Sequence, residues 1–114
     1  MNVINLSFNL ILEMSNIRLN IDNFQYYVYF SKLNSNKKEN FPRIKISNSK
    51  KAFDKLDNFT ILVNTPNLDV IGNCKLSNKE LNKIKQWIFN NKENLIKYWN
   101  DSNYKISELT NDLK

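Results

Sequence analysis

Apolar and polar residues alternate through the first part of the chain. Every second residue is apolar in three consecutive runs, at residues 4–12, 17–21 and 24–30. A period of two is typical of strands with one face on a core and the other toward water. The breaks at residues 15–16 and 22–23 are Ser-Asn and Asp-Asn pairs, which favour turns because their side chains satisfy local backbone groups. These runs predict a three-stranded antiparallel meander.

Further strands are predicted after a polar loop at residues 33–40. Residues 43–47 alternate behind Pro42, and a proline at the first position of a strand suits an edge strand, where its missing N–H costs no ladder bond. Residues 59–63 favour a fifth strand and residues 68–71 a short sixth one. The pattern therefore predicts an antiparallel sheet of about five strands.

The period then changes to that of a helix. Ser77 and Glu80 have the spacing of a capping box, in which each side chain bonds the backbone N–H of the other residue. An apolar stripe follows and predicts one long amphipathic helix over residues 78 to 98 or 99. An alternative is a break near residues 90–91, where Asn90 and Glu93 have the spacing of a second capping box.

Together these elements predict an α+β fold. Trp87, Tyr98 and Trp99 lie on the helical stripe, and we expect them in the core between helix and sheet. Apolar residues at positions 106, 109 and 113 predict a short terminal helix. A length of 114 residues fits one domain. We expect a single α+β domain over residues 1–114, with an antiparallel sheet, one long C-terminal amphipathic helix and a short terminal helix.

The composition argues against an enzyme. The chain has no histidine, so it offers no imidazole base and no His metal ligand. A single glycine excludes a phosphate-binding loop or a dinucleotide fingerprint. Asp54 and Asp57 could bind a divalent cation, but a solvated loop is the simpler interpretation. We expect no catalytic residue, no metal and no cofactor.

Cysteine content and hydropathy bear on the compartment. Cys74 is the only cysteine, so no intrachain disulfide can form, and we recognise no secretory signal. No apolar run approaches the roughly 20 residues that a membrane span needs. We therefore expect a cytoplasmic protein without a membrane partner.

Positive charge is concentrated in residues 32–55. This segment has eight basic and two acidic residues, a net charge of +6 that equals the net charge of the whole chain. A localised basic surface attracts phosphate or an acidic protein surface. The alternative is that lysine-rich loops only keep the protein soluble. The candidate partner-binding residues in this segment are Lys37, Lys38, Arg43, Lys45, Lys50 and Lys51.

Two tyrosines complete the candidate site. Alternation places Tyr27 and Tyr29 on the strand face opposite the apolar residues. Exposed tyrosines on a sheet can stack nucleobases or anchor a protein interface. The alternative is that the long helix covers this face, so that both sides of the strand are partly buried.

From Pro42 onward the sequence resembles small uncharacterised bacterial and phage proteins. The resemblance rests on the run Pro-Arg-Ile-Lys-Ile-Ser-Asn at residues 42–48, on Trp-Ile at 87–88 and on Tyr-Trp-Asn-Asp at 98–101. The genes of similar domains of unknown function occur near mobile elements and toxin–antitoxin pairs. Many of them carry a histidine-containing loop that this chain lacks, so no functional residue is carried over.

Size, charge and resemblance together suggest two functions. The leading hypothesis is a non-catalytic binding protein from a phage or mobile element that inhibits a host nucleic-acid-targeting defence complex by occlusion, in the manner of an anti-CRISPR protein. Its partner would be an acidic protein or a protein–nucleic-acid complex. The alternative is a nucleic-acid-binding or toxin–antitoxin component that uses residues 32–55 directly.

Overall fold

The chain folds as an antiparallel sheet followed by helices. The computed structural model describes residues 4–6, 16–33 and 41–114. Within these ranges the strands are β1 (Ile4–Leu6), β2 (Asn16–Ile21), β3 (Phe24–Phe30), β4 (Arg43–Ser47), β5 (Asn58–Leu62) and β6 (Val70–Ile71), and the helices are α1 (Asn78–Asn90), α2 (Lys92–Asn100) and α3 (Ile106–Asp112). The predicted α+β class, with an antiparallel sheet followed by helices, is confirmed.

Each strand pairs with the next one in the sequence. The sheet order is β1-β2-β3-β4-β5-β6, and every pair is antiparallel. The turn between β2 and β3 has two residues, because Ile21 pairs with Phe24. The first of them, Asp22, has a positive φ of 54°. Residues 7–12, which belong to the first predicted strand, lie outside the described residues.

The expectation of an edge position for the strand after Pro42 is wrong. β4 lies inside the sheet, between β3 and β5. Pro42 precedes the first residue of β4, so its missing N–H removes no ladder bond. Its carbonyl accepts a hydrogen bond from the N–H of Val63 at 2.9 Å, which aligns β4 with the end of β5.

The helices pack on one face of the sheet. On this face the strands bury Ile17, Leu19, Ile21, Tyr26, Val28, Phe30, Ile44, Ile46, Phe59 and Ile61. The ring of Phe30 contacts Trp87 of α1 and Tyr98 of α2, at centroid distances of 6.4 and 6.5 Å. Trp87 and Tyr98 are buried in this core, as predicted, whereas Trp99 is buried beside Arg43 and outside the core cluster. Period-2 alternation in the strands and the apolar stripe of the helices therefore meet in one core.

The prediction of a single long helix is wrong, because the helix is interrupted at Asn91. The capping box of Ser77 and Glu80 at the start of α1 is confirmed. Asn91 is buried and leaves helical geometry, with φ of −112° and ψ of 15°. Its side-chain amide donates to the carbonyl of Trp87 at 2.9 Å and accepts from the N–H of Lys114 at 2.7 Å. An asparagine amide competes with the backbone for such carbonyls, and here it separates α1 from α2.

The break lies where the alternative placed it, but a second capping box does not form. α2 begins after Asn91 and has no side-chain hydrogen bond at its N-cap. Asn90 instead accepts a hydrogen bond from the side chain of Gln86, at 3.3 Å, on the surface of α1. The break therefore depends on the buried amide of Asn91 and not on a capping box.

Candidate functional site

The second face of the sheet carries three of the eight residues that the sequence suggested for binding, Tyr27, Tyr29 and Lys45. The three helices of the described residues pack on the other face, so we call this side the open face. We define it by Arg18 of β2, Tyr27 and Tyr29 of β3, Lys45 of β4 and Thr60 of β5, whose side chains are partly exposed. The alternative that the long helix covers Tyr27 and Tyr29 is wrong.

Tyr27 and Tyr29 each lie opposite a basic residue of a neighbouring strand. Arg18 pairs with Tyr27 across β2 and β3, and Tyr29 pairs with Lys45 across β3 and β4. Residues directly opposite in antiparallel strands have Cβ atoms about 5 Å apart, so the two side chains of each pair start from neighbouring positions on the face. No position of this face in the described strands holds Asp or Glu. The face therefore combines two aromatic rings with two basic residues at neighbouring register positions.

Both tyrosines have a contact that restricts their movement. The side-chain amide of Gln25 donates to the hydroxyl of Tyr27 at 3.2 Å. The ring of Tyr29 contacts Phe53, with centroids 5.9 Å apart and planes inclined by 37°. Binding a ligand to such rings costs little conformational entropy, because they are ordered beforehand.

Phe53 is positioned by the β4–β5 loop, residues 48–57, which is held together by side-chain hydrogen bonds. The hydroxyl of buried Ser47 donates to the carbonyl of Ala52 at 3.0 Å and accepts from the N–H groups of Ser49 and Asp54 at 3.1 and 3.0 Å. These bonds close the loop around a single oxygen atom. The loop is therefore a defined support for Phe53 at the border of the open face.

The structure separates the predicted basic residues. Lys45 lies on the open face, whereas Arg43, at the start of β4, places its guanidinium carbon 5.6 Å from the ring centre of Trp99 in the helix layer. Lys51 is exposed in the β4–β5 loop. Lys37 and Lys38 lie outside the described residues.

Lys50 points to the helix side of the sheet. Its ammonium forms an ion pair with Glu80 of α1 and lies 5.6 Å from the ring centre of Tyr26. Partial burial raises the pKa of Glu80, but hydrogen bonds from Lys50 and Ser77 outweigh this effect and hold that pKa below its usual value. The charge of Lys50 is thus compensated within the protein.

Lys32, the first residue of the basic segment, has a structural role. Its ammonium donates to the carbonyls of Tyr98, Asp101 and Tyr104 at 3.1, 2.7 and 2.6 Å. Burial lowers the pKa of this ammonium, and the carboxylates of Asp101 and Glu108 partly oppose that shift. Three carbonyl acceptors match the three N–H donors of a protonated lysine. Lys32 therefore satisfies the C-terminal end of α2, where a positive charge is favoured.

The sequence hypothesis missed two neighbours of the tyrosines, Arg18 and Phe53. Arg18 could have been found, because it alternates with buried residues and the two-residue turn after β2 fixes its register with Tyr27. Phe53 lies in an irregular loop, and no periodic pattern predicts its contact with Tyr29.

The carboxylates of Asp54 and Asp57 both form hydrogen bonds in or beside the β4–β5 loop. Asp54 accepts from the N–H of Leu56 at 2.8 Å, and Asp57 accepts from Asn48 at 2.9 Å and pairs with Lys75 at 3.0 Å. Within the described ranges, no three His, Cys, Asp or Glu side chains are grouped to hold a metal ion. The two carboxylates stabilise local structure.

A groove beside the turn between β2 and β3 is a second candidate site near charged residues. It is lined by Asp22, Asn23, Phe24, Lys79 and Lys83. Asp22 and Lys83 form an ion pair at 2.7 Å, and this bond lowers the pKa of the Asp22 carboxyl. The ion pair compensates two of the three charged residues that line the groove, which makes the groove a weaker candidate for an anionic partner.

The comparisons with known proteins identify a family. Residues 32–100 match the family described as "Domain of unknown function (DUF4160)". The chain belongs to this family. The matched residues of the DUF4160 chain contain β4 to β6, α1 and α2, and therefore Lys45 and Phe53, whereas Arg18, Tyr27 and Tyr29 precede them. Neither the curated proteins nor the solved structures gave a match.

No helix among the described residues has the length and apolar character that crossing a bilayer requires.

Proposed function

We propose that this protein is a non-catalytic binding protein that recognises an anionic macromolecule through the open face. The observation that carries the proposal is the pair of tyrosine–cation neighbours, Arg18 with Tyr27 and Lys45 with Tyr29, on a face whose described strand positions include no acid. Tyrosine and arginine are the residue types most enriched where binding energy is concentrated, and localised positive charge attracts anionic partners.

Both functions suggested by the sequence are forms of this proposal. A phage or mobile-element inhibitor would place the open face against an acidic protein or a protein–nucleic-acid complex of a defence system. A nucleic-acid-binding protein would place it against phosphates directly. The open face differs from the basic segment of residues 32–55, because Lys32 and Lys50 are engaged within the fold. The expected absence of catalytic, metal and cofactor chemistry, and the cytoplasmic location, stay predictions.

Retention on immobilised heparin, a general polyanion, tests the proposal. We expect Lys45→Glu to elute at clearly lower salt than the wild-type protein, because it reverses the charge beside Tyr29. Lys79→Glu is the matched control, since it changes the same charge at an exposed position in the first turn of α1, on the helix side. Equal shifts for the two variants would show that net charge alone controls retention, and the proposal would then fail.

A further inference from the structure

We infer that the anionic ligand is a single-stranded nucleic acid, with bases stacked on Tyr27 and Tyr29 and phosphates beside Arg18 and Lys45. This inference rests on the proposed function and names its ligand. The sequence left the choice between nucleic acid and protein open. Three features of the open face favour a single strand.

The first feature is the spacing of the rings. Tyr27 and Tyr29 lie two residues apart on the same face of β3, a distance of about 7 Å along a strand. Stacked bases in a duplex rise only about 3.4 Å per step. Two adjacent bases can therefore occupy both rings only if they separate from each other, which an extended single strand allows and a duplex does not.

The second feature is the breadth of the surface. The residues of the open face span β2 to β5, and neighbouring strands lie about 4.8 Å apart, so the face is about 14 Å wide. The major groove of DNA is about 12 Å wide and admits a helix or a two-stranded ribbon. A four-stranded face cannot enter that groove, so its rings cannot reach the bases of an intact duplex.

The third feature is the position of the cations relative to the rings. Arg18 and Lys45 lie on opposite sides of β3, one beside each tyrosine. A nucleic-acid strand that lies across the two rings therefore meets a positive side chain beside each stacked base. The combination of a stacking ring with a basic track is the arrangement that binds single strands without strong sequence preference.

Fluorescence anisotropy with labelled oligonucleotides tests this inference on the full chain. The probes are oligothymidylate and oligouridylate of about 15 nucleotides, near the upper end of known site sizes, and a duplex of the same length. We expect both single strands to bind at least about tenfold more tightly than the duplex, because only unpaired bases can stack.

Ring and charge variants separate stacking from charge attraction. Tyr29→Leu should weaken single-strand binding by about tenfold, whereas Tyr29→Phe, which keeps the ring, should bind as the wild type does. Tyr27→Leu and Tyr27→Phe repeat the comparison at a ring with no Phe53 contact in the structure, so the test survives if Tyr29→Leu fails to fold. Lys45→Gln should reduce the slope of log affinity against log salt by about 0.7, and Lys79→Gln should leave it unchanged.

Duplex binding as tight as single-strand binding would overturn the inference, as would wild-type affinity in both leucine variants. If heparin retention still depends on Lys45 in that case, the proposed function stands and its ligand is duplex phosphate or an acidic protein. If heparin retention does not depend on Lys45 either, the proposed function falls together with the inference.

Discussion

Lys32 links the end of β3 to the C-terminal end of α2. Its replacement by methionine measures how much the ammonium group contributes to the stability of the fold. Methionine keeps an unbranched apolar stem of similar length and removes the ammonium. The variant therefore loses the three hydrogen bonds to the carbonyls of Tyr98, Asp101 and Tyr104, at 3.1, 2.7 and 2.6 Å. The stem contacts change little, so the experiment isolates the charged group.

The expected loss in the free energy of unfolding follows from those bonds and from two opposing effects. A hydrogen bond from a charged donor contributes roughly 1.5–3 kcal/mol, so the three bonds together contribute roughly 5–9 kcal/mol. Removing the ammonium also removes its desolvation cost. The carbonyl of Asp101 keeps a second bond, from the N–H of Tyr104 at 3.1 Å. We expect Lys32→Met to lower the free energy of unfolding by about 2–4 kcal/mol.

Urea unfolding followed by tryptophan fluorescence measures this change, because Trp87 and Trp99 are buried in the folded protein. Lys55→Met is the matched control, since it removes the same charge from an exposed loop position and should change stability by less than about 0.5 kcal/mol. A Lys32→Met variant as stable as Lys55→Met would refute the reasoning. It would show that desolvation of the ammonium cancels the three hydrogen bonds.

Three further changes test local features. Ser77→Ala removes the hydroxyl that accepts from the N–H of Glu80 at 3.1 Å, and should cost about 1 kcal/mol in urea unfolding. Gly72→Ala should lower the free energy of unfolding by about 1–2 kcal/mol in the same assay, because Gly72 has a φ of +100°, which residues with a side chain rarely adopt. A variant as stable as the wild type would contradict this backbone conformation. Hydrogen bonds from Asn48 and Lys75 lower the pKa of Asp57, so its contribution to stability is complete above the ordinary carboxyl pKa of about 4 and is lost as pH falls through the lowered value. Asp57→Asn should therefore show a smaller loss of unfolding free energy than the wild type between neutral and strongly acidic pH.

Part of the candidate site was predictable from the sequence. Tyr27, Tyr29 and Lys45 alternate with buried residues, so each had to lie on the face opposite the core once its segment formed a strand. The role of Lys50 was not predictable, because its partner Glu80 lies thirty residues away in the chain. Charge counted along the chain locates basic residues, but it does not show which charges are compensated by distant partners.

In the helices, too, some features were predictable from nearby residues and others depend on distant contacts. The capping box at Ser77 is a contact across three residues, and its spacing was visible in the sequence. The spacing of Asn90 and Glu93 suggested a break near Asn91. The buried amide of Asn91, however, also accepts a hydrogen bond from Lys114, twenty-three residues later. A local pattern could suggest this break, and only the packed C-terminal segment selects it over a continuous helix.

Periodicity along the chain was enough to predict the α+β class, the strands near residues 17–21, 24–30, 43–47 and 59–63, and the two faces of each, because these depend on neighbours a few residues apart. Tertiary structure decided which face the helices cover, which lysines are engaged and what lies beside each tyrosine. Contacts such as Phe53 with Tyr29, and Lys32 with three carbonyls of the helix layer, join residues that are far apart in the chain. They form only when the sheet and helices close on a common core, so no local pattern encodes them.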